Sequence, residues 1–173
     1  MDSVTNYFNF GRDIKNAFGL LINAFDFNFY EVYEGCYELK NQHCVLRFTF
    51  DRGDISCNIK QFQSKDPHGY GIYPVLRYLF KDDKFLSKGK IYDSQLQLIE
   101  YADIIDSKLK SLLKGDFSWL DGYLASNEKL NKMIAFIWNN IDKSAPIYIK
   151  FKAGDMNWEN DLELLLKEQG INL

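Results

Sequence analysis

The stretch that decides the fold is CVLRFTFDRGDISCNIKQ, residues 44–61. Apolar and polar side chains alternate on both sides of Arg52-Gly53, which is the period of a strand with one buried face. With Arg52-Gly53 as a two-residue loop, the two strands pair Phe50 with Ile55, Phe48 with Cys57 and Leu46 with Ile59. These apolar residues then share one face, and a one-residue slip would break the match. We therefore predict an antiparallel hairpin, although a longer loop with a glycine bulge remains an alternative.

The opposite face of this hairpin is polar. It carries Arg47, Thr49, Ser56, Asn58 and Lys60. In an antiparallel sheet covered on one side only, such a face is usually just solvated. The alternative is a polar binding surface with two positive charges, and we keep Arg47, Thr49, Asn58 and Lys60 as candidate partner-binding residues.

The elements before the hairpin are a helix and short strands. Aromatic and aliphatic residues recur at helical spacing from Ser3 to Phe25, with Gly11 and Gly19 as weak points. The segments 27–33 and 37–39 are predicted as one bulged strand or two short ones, and a turn follows at Asn41-Gln42.

The elements after the hairpin are mostly helical. We predict a loop over 64–73, a helix from Pro74 to Phe80, an exposed charged segment over 81–90, and a helix from Asp93 or Ser94 to Lys114. An aromatic connector over 117–124 precedes a helix that starts at Ser126 or Asn127. An edge strand over 147–152 and a last helix, capped by Asp155 and closed by Gly170, complete the chain. The order predicts a single α+β domain over 1–173, with an antiparallel sheet covered by helices on one face.

Composition limits the classes of function. The chain of 173 residues is 46% hydrophobic and 16% aromatic, so it is long and apolar enough to bury a core without disulfides or bound metals. Its formal charge of −3 disfavours general nucleic-acid binding, which requires a basic excess. No signal peptide or run of ~18 apolar residues is evident. We therefore expect a cytosolic protein without membrane association, and the sequence leaves its oligomeric state open.

The cysteines and histidines are the main candidates for covalent or metal chemistry. Cys36, His43, Cys44 and Cys57 lack the close ligand pairs typical of zinc sites, so buried apolar thiols are the favoured interpretation and no metal or cofactor is predicted. A catalytic Cys–His pair using His43 or His68 is an alternative, but the hairpin register buries Cys57, which makes a thiol inert. Catalytic residues stay unassigned, and binding is favoured over enzymatic activity.

Aromatic and acidic side chains supply the remaining candidates for a binding surface. Tyr70, Tyr73, Trp119 and Tyr123 are expected to be exposed anchors, with His68 in the neighbouring glycine-rich loop. The segment from Asp155, which includes Glu159, is acidic. A solvated helix with an acidic start is the simpler explanation, and docking to a basic protein is the alternative.

Three segments resemble the small acidic bacterial immunity-type proteins that accompany polymorphic and contact-dependent toxins. They are FGLLINAF at 18–25, the hairpin VLRFTFDRGDISCNI at 45–59, and LLKGDFSWL at 112–120, within about the first two thirds of the chain. The resemblance implies inhibition of a toxin or enzyme by tight binding, with acidic side chains meeting a basic partner. The alternatives are a small-molecule or nucleotide-binding protein with a pocket between sheet and helices, in which Arg47, Lys60, His68 and Tyr70 form the site, and a phage-encoded inhibitor of a host defence system.

Overall fold

A computed structural model describes residues 7–51, 53–81, 93–155 and 157–171. The chain divides into two compact units, residues 1–119 and residues 120–173. The first holds the sheet with five helices among its described residues, and the second holds three helices. The fold class is α+β, as predicted, whereas a single domain over the whole chain stays a prediction.

In the described residues the sheet has five antiparallel strands in sequence order. They are β1 (Asn28–Tyr33), β2 (Cys36–Lys40), β3 (Cys44–Asp51), β4 (Asp54–Gln61) and β5 (Tyr70–Gly71). The helices of the first unit are α1 (Tyr7–Ala17), α2 (Gly19–Ala24), α3 (Ile72–Phe80), α4 (Ser94–Lys108) and α5 (Lys110–Leu113).

The predicted hairpin is confirmed, including its register. Phe50 pairs with Ile55, Phe48 with Cys57, and Asp51 with Asp54, which leaves a two-residue loop at 52–53. Gly53 has φ +89°, a left-handed conformation that glycine adopts without the steric penalty of a Cβ. Arg52 lies outside the described residues.

The inner face of the sheet, which carries Phe48 and Leu46, forms the core of the first unit. Helix α1 packs there through Phe10, whose ring centroid is 5.5 Å from that of Phe50. Phe18 packs next to it with its ring 4.7 Å from Phe48. Full burial of side chains of this size stabilises a fold by about 1.5–3 kcal/mol each. Helix α4 lies against β4, where the Tyr101 hydroxyl donates to the Ile55 carbonyl at 3.2 Å.

Asn41, in the turn between β2 and β3, joins the sheet to two helix ends. Its Nδ2 donates to the carbonyls of Phe25 and Leu113, both at 3.1 Å. Its Oδ1 accepts from the backbone N–H groups of His43 and Cys44, both at 2.8 Å. The side chain is 7% exposed, so this amide uses its full hydrogen-bonding capacity away from water.

Two long predicted helices are interrupted. The first breaks at Phe18, which has φ −98° and ψ 7°, and its predicted start at Ser3 lies outside the described residues. The second breaks at Leu109, with φ −119°. Both residues are buried. The break at Phe18 lies beside Gly19, one of the two predicted weak points, whereas the apolar spacing gave no sign of the break at Leu109.

The second unit contains α6 (Leu120–Asn140), α7 (Pro146–Ala153) and α8 (Asn157–Glu168). Its core includes Met133, Ile137, Tyr148, Trp158, Leu162 and Leu166. Tyr148 and Phe151 both pack edge-on against the ring of Trp138, with centroids 5.7 and 5.6 Å away.

Several predicted boundaries in the C-terminal part and the loop were wrong. The edge strand over 147–152 is helix α7, because Tyr148 and Phe151 meet Trp138 at helical rather than strand spacing, and Pro146 suits the first turn of a helix. Helix α6 begins at Leu120 rather than at Ser126 or Asn127. The loop over 64–73 contains β5, and α3 begins at Ile72 rather than Pro74. Residues 82–90 of the charged segment lie outside the described residues.

Replacing Asn41 is expected to destabilise the first unit. Asn41→Ala leaves two N–H groups and two carbonyls without their partner, of which the Cys44 N–H and the Leu113 carbonyl are buried, and each such loss costs on the order of 1 kcal/mol or more. We expect a decrease of about 2–4 kcal/mol in the free energy of unfolding, measured by urea denaturation. Gln42→Ala, in the same turn but exposed, is the control and should change stability by less than about 0.5 kcal/mol. Equal effects of the two substitutions would contradict the role of Asn41.

Candidate functional site

The outer face of the sheet, opposite α1 and α4, gathers polar and aromatic side chains from four strands. The register places Tyr30 beside Glu38, Glu38 beside Arg47, and Arg47 beside Asn58. The same alternation puts the following side chains on this face: Asn28, Tyr33, Cys36, Lys40, Val45, Thr49, Ser56, Lys60 and, just beyond β4, Phe62. We call this set the outer face.

Glu38 is the buried centre of the outer face, with a side chain only 4% exposed. Its Oε2 lies 2.6 Å from the Lys40 ammonium. The other carboxylate oxygen, Glu38 Oε1, accepts a hydrogen bond from Arg47 Nε at 2.7 Å and lies 2.5 Å from Arg47 Nη2. Two nitrogens of the guanidinium therefore converge on one carboxylate oxygen, and the Lys40 ammonium occupies the other.

The two cations determine the ionisation of Glu38. Burial acts to raise the pKa of this carboxyl, but the hydrogen bonds and charges of Lys40 and Arg47 outweigh it. The pKa therefore lies below its ordinary value. Glu38 is thus held as a carboxylate in a site that would otherwise favour its neutral form.

A depression of about 900 Å³ lies over Glu38. Its floor includes buried Val45, and its border includes two exposed aromatic side chains, Tyr30 and Phe62. The Lys40 ammonium stands 4.9 Å from the centroid of the Tyr30 ring. The remaining lining residues are Phe25, Asp26, Asn28, Lys40, Asn41, Gln42, Arg47 and Lys60.

The loop 64–69 folds against one side of the outer face. Arg47 Nη1 donates to the Pro67 carbonyl, Lys60 Nζ donates to the Asp66 carbonyl at 3.1 Å, and Asn58 Nδ2 donates to the His68 carbonyl at 3.3 Å. Three of the predicted binding residues therefore hold this loop through its backbone.

The loop is also shaped by its own side chains. Asp66 Oδ1 accepts from the N–H groups of His68 and Gly69, at 2.8 and 3.1 Å. Gly69 has φ +74°, and a Cβ there would lie 2.8 Å from the Ile59 carbonyl oxygen. Only glycine permits this approach of the loop to β4.

The predicted candidates for chemistry are dispersed. Cys36, Cys44 and Cys57 are buried free thiols, as predicted. Burial raises the pKa of Cys44 to about 12 and raises the pKa of Cys57 well above its ordinary value, which removes the thiolate needed for nucleophilic attack. Over residues 7–51, 53–81, 93–155 and 157–171, no three His, Cys, Asp or Glu side chains form a group that could hold a metal ion.

The predicted aromatic anchors do not form an exposed patch. Tyr70 pairs with Ile59 and therefore lies on the inner side of the sheet, with its ring 6.3 Å from that of Trp119. Tyr73 packs 5.3 Å from Tyr101, and burial, with smaller contributions from Glu100, raises its pKa to about 12. Tyr123 is 5% exposed, so its expected exposure was wrong.

The acidic candidates in the second unit have structural partners. Asp155 accepts from the N–H of Asn157 at the start of α8, which is the predicted cap. Along the same helix, Asp161 pairs with Lys150 at 2.6 Å and Glu163 with Lys129 at 2.5 Å. Glu159 is partly buried. Docking through this acidic segment stays a prediction.

The residues that sequence analysis missed come mainly from β1 and β2. Tyr30, Glu38 and Lys40 join Arg47 on the outer face because β2 pairs with β3. The alternation around Glu38 was visible, but its register relative to Arg47 was not. Phe62 was also missed because it follows the last clearly alternating residue of the hairpin.

No protein-family model, curated protein or solved structure matches this chain. None of the described helices is long and apolar enough to cross a membrane.

Neutralising Glu38 is expected to destabilise the fold and to change its pH dependence. In Glu38→Gln, Lys40 and Arg47 lose their shared counter-ion, and we expect a loss of about 2–4 kcal/mol at pH 7. Because the folded-state pKa of Glu38 is lowered, its contribution is complete above the ordinary glutamate pKa and is lost as pH falls through the folded pKa. Urea denaturation as a function of pH should therefore show a shallower loss of stability in acid for the variant.

Glu163→Gln is the matched control for this experiment. Glu163 also pairs with a lysine, but it is 51% exposed, and exposed pairs contribute about 0–1 kcal/mol. An equal loss of the free energy of unfolding at pH 7 in the two glutamine variants, with the same decrease of stability in acid, would contradict the role assigned to the buried Glu38 pair.

Proposed function

We propose that the chain is a protein-binding inhibitor of the immunity type, which blocks a partner toxin or enzyme by tight binding through its outer face. The observation that carries this proposal is the depression over Glu38, in which exposed aromatic side chains border a fixed group of charges. A cytosolic location accords with the three reduced, buried thiols.

The aromatic border supplies the kind of side chain on which protein interfaces depend. Tyr30 is 47% exposed and Phe62 is 46% exposed, although both rings are large and apolar. Tyrosine is enriched among residues that dominate binding energy, and such residues act when a partner removes them from water. Tyr33, 59% exposed, extends this border along β1.

The charges of the depression are held in place before any partner binds. Glu38 fixes the positions of Lys40 and Arg47, while Lys60 is held by the backbone of the loop 64–69. Ordered charges reduce the entropy lost on binding and select partners by sign. Three cations outnumber the carboxylates of Glu38 and Asp26 along the depression, so its charge suits acidic groups on the partner.

This preference differs from what the family resemblance implied. Immunity-type proteins of that kind are expected to meet a basic toxin face with acidic side chains. Here Asp161 and Glu163 of α8 pair with lysines of the same unit, whereas three cations face two carboxylates in the depression. The proposal therefore places the contact on the sheet rather than on α8.

A small-molecule site is the second candidate, and the size of the depression favours it. Ligand pockets usually occupy about 300–1,000 Å³, a range that includes this depression. A small anion or nucleotide would meet Lys40, Arg47 and Lys60, with Tyr30 or Phe62 beside a ring. This differs from the pocket between sheet and helices that the sequence suggested, because the depression lies on the outer side of the sheet.

Truncating Phe62 tests the inhibitor proposal. The product of the gene adjacent to the one encoding this chain is purified, and its affinity for the chain and its activity are measured. We expect binding and inhibition by the native chain, and about tenfold or greater weakening in Phe62→Ala. Leu164→Ala, at an exposed apolar position on α8 (62% exposed), is the control and should leave affinity unchanged. The proposal loses if the neighbouring protein does not bind, or if both variants weaken binding equally.

A thermal-shift screen against nucleotides, phosphate and small carboxylates tests the second candidate. A ligand at 100 times its Kd stabilises the folded state by about 2.7 kcal/mol, which should raise the Tm by several degrees. Lys60→Met should reduce this shift because it removes one cation of the depression, whereas Lys129→Met, a lysine of α6, should not. No shift across the panel would count against a small-molecule site.

A further inference from the structure

We infer that the chain forms a two-fold symmetric dimer through β1, which pairs antiparallel with its own copy about Tyr30. Within the described residues, β1 is an edge strand whose only strand partner is β2. Five of its six residues are exposed, including Tyr30, Val32 and Tyr33. The strand contains no lysine or proline, and its features that oppose edge pairing are the charge of Glu31 and the irregularity between Glu31 and Tyr33.

The hydrogen bonding of β2 shows which backbone groups of β1 face the free edge. Asn41 N donates to the Cys44 carbonyl, and Phe50 N donates to the Gly35 carbonyl, so the odd-numbered positions of β2 bond to β3. Bonded and non-bonded pairs alternate in an antiparallel ladder. The even-numbered residues of β2 therefore bond to β1.

The same alternation fixes the pattern in β1. Asn28 pairs with Lys40 and Tyr30 pairs with Glu38, so Asn28 and Tyr30 use their backbone groups toward β2. Phe29 and Glu31 consequently present N–H and C=O groups to the free edge. A second β1 fits this edge when Phe29 of one copy lies opposite Glu31 of the other, because both residues then exchange two hydrogen bonds.

This register is centred on Tyr30. The two Tyr30 side chains become a non-bonded cross-strand pair on the outer side of the sheet, the position in which side chains approach most closely. Aromatic cross-strand pairs stabilise sheets. The regular ladder covers residues 29–31, because the register of β1 shifts between Glu31 and Tyr33.

Charge complementarity on the inner side selects a second copy as the occupant. Lys15 of α1 stands 4.4 Å from the centroid of the Phe29 ring and is exposed. In this register Phe29 faces Glu31 of the second copy, so Lys15 lies beside an opposite charge, and the symmetry makes this contact twice. Glu31 is itself exposed and forms no ion pair with another described residue.

Neighbouring registers lack this match. Moving the centre to Glu31 places the two Glu31 carboxylates opposite each other, which is destabilising. Moving it to Phe29 places Glu31 opposite the buried Phe27. A shift that pairs odd with even positions would bring bonding groups of one strand against groups already used by β2. The register about Tyr30 is the one that satisfies backbone, apolar and charged groups together.

The dimer would place two outer faces side by side on a continuous sheet of ten strands. Tyr30 borders the depression over Glu38, so each depression would gain the partner copy's Tyr30 along its border. This inference rests on the edge of β1 and does not require the proposed function.

A charge exchange tests the inference in the full-length chain. Sedimentation equilibrium should show a reversible monomer–dimer equilibrium for the native protein. Glu31→Lys and Lys15→Glu should each raise the dimer Kd by about tenfold or more, since each places like charges together, and the double variant should return it to within about threefold of native. Glu168→Lys, an exposed glutamate near the end of α8, makes the same charge change elsewhere and should have no effect.

The possible outcomes test three things separately: whether β1 forms the dimer interface, whether the register is correct, and whether the variants fold. Circular dichroism checks that each exposed substitution leaves the fold intact. A native chain that remains monomeric up to about 1 mM overturns the dimer. A dimer insensitive to both single substitutions overturns the use of β1, and a double variant that stays as weak as the single variants overturns the register. None of these results depends on inhibition of a partner, so the proposed function is tested separately.

Discussion

The amide of Asn41 is the contact on which the arrangement of the first unit depends. The last carbonyls of a helix have no partner within that helix, and Asn41 supplies one for Phe25 after α2 and one for Leu113 at the end of α5. The same side chain closes the turn from β2 to β3. One residue therefore joins the strands to two helix ends, on the same sheet where Phe18 packs against Phe48.

The two faces of the sheet are consequences of a single register. Because side chains alternate along a strand, the pairing that buries Phe48 and Leu46 also turns Arg47 outward. Glu38 then lies opposite Arg47 on the neighbouring strand and is buried between Arg47 and Lys40. A slipped register would leave the Glu38 carboxylate without these counter-ions. The ion group over the sheet and the apolar core beneath it accordingly select the same pairing.

Sequence predicted the hairpin well because two alternating segments constrained each other. Residues 147–152 alternate equally well, yet they form α7, since a short apolar run fits either period until its neighbours are known. The break at Phe18 lies beside Gly19, which the sequence marked as a weak point, whereas the break at Leu109 has no glycine or proline beside it and was not predicted. Arg47, Asn58 and Lys60 were assigned to the outer face from spacing alone, but Glu38 and Lys40 required the pairing of β2 with β3, and burial of Tyr123 required the tertiary fold.

Net charge was an incomplete guide to binding because it sums over surfaces that a partner meets separately. The value of −3 argues against general attraction to polyanions, yet Lys40, Arg47 and Lys60 lie together on one concave face. Lys129 and Lys150 of the second unit pair with Glu163 and Asp161, as Lys40 and Arg47 pair with Glu38, but Lys60 adds a third cation to the outer face. A partner approaching the outer face interacts with the charges on that face rather than with the net charge of the whole chain. The sign of that face, set by strand register, is therefore the property that would distinguish acidic from basic partners.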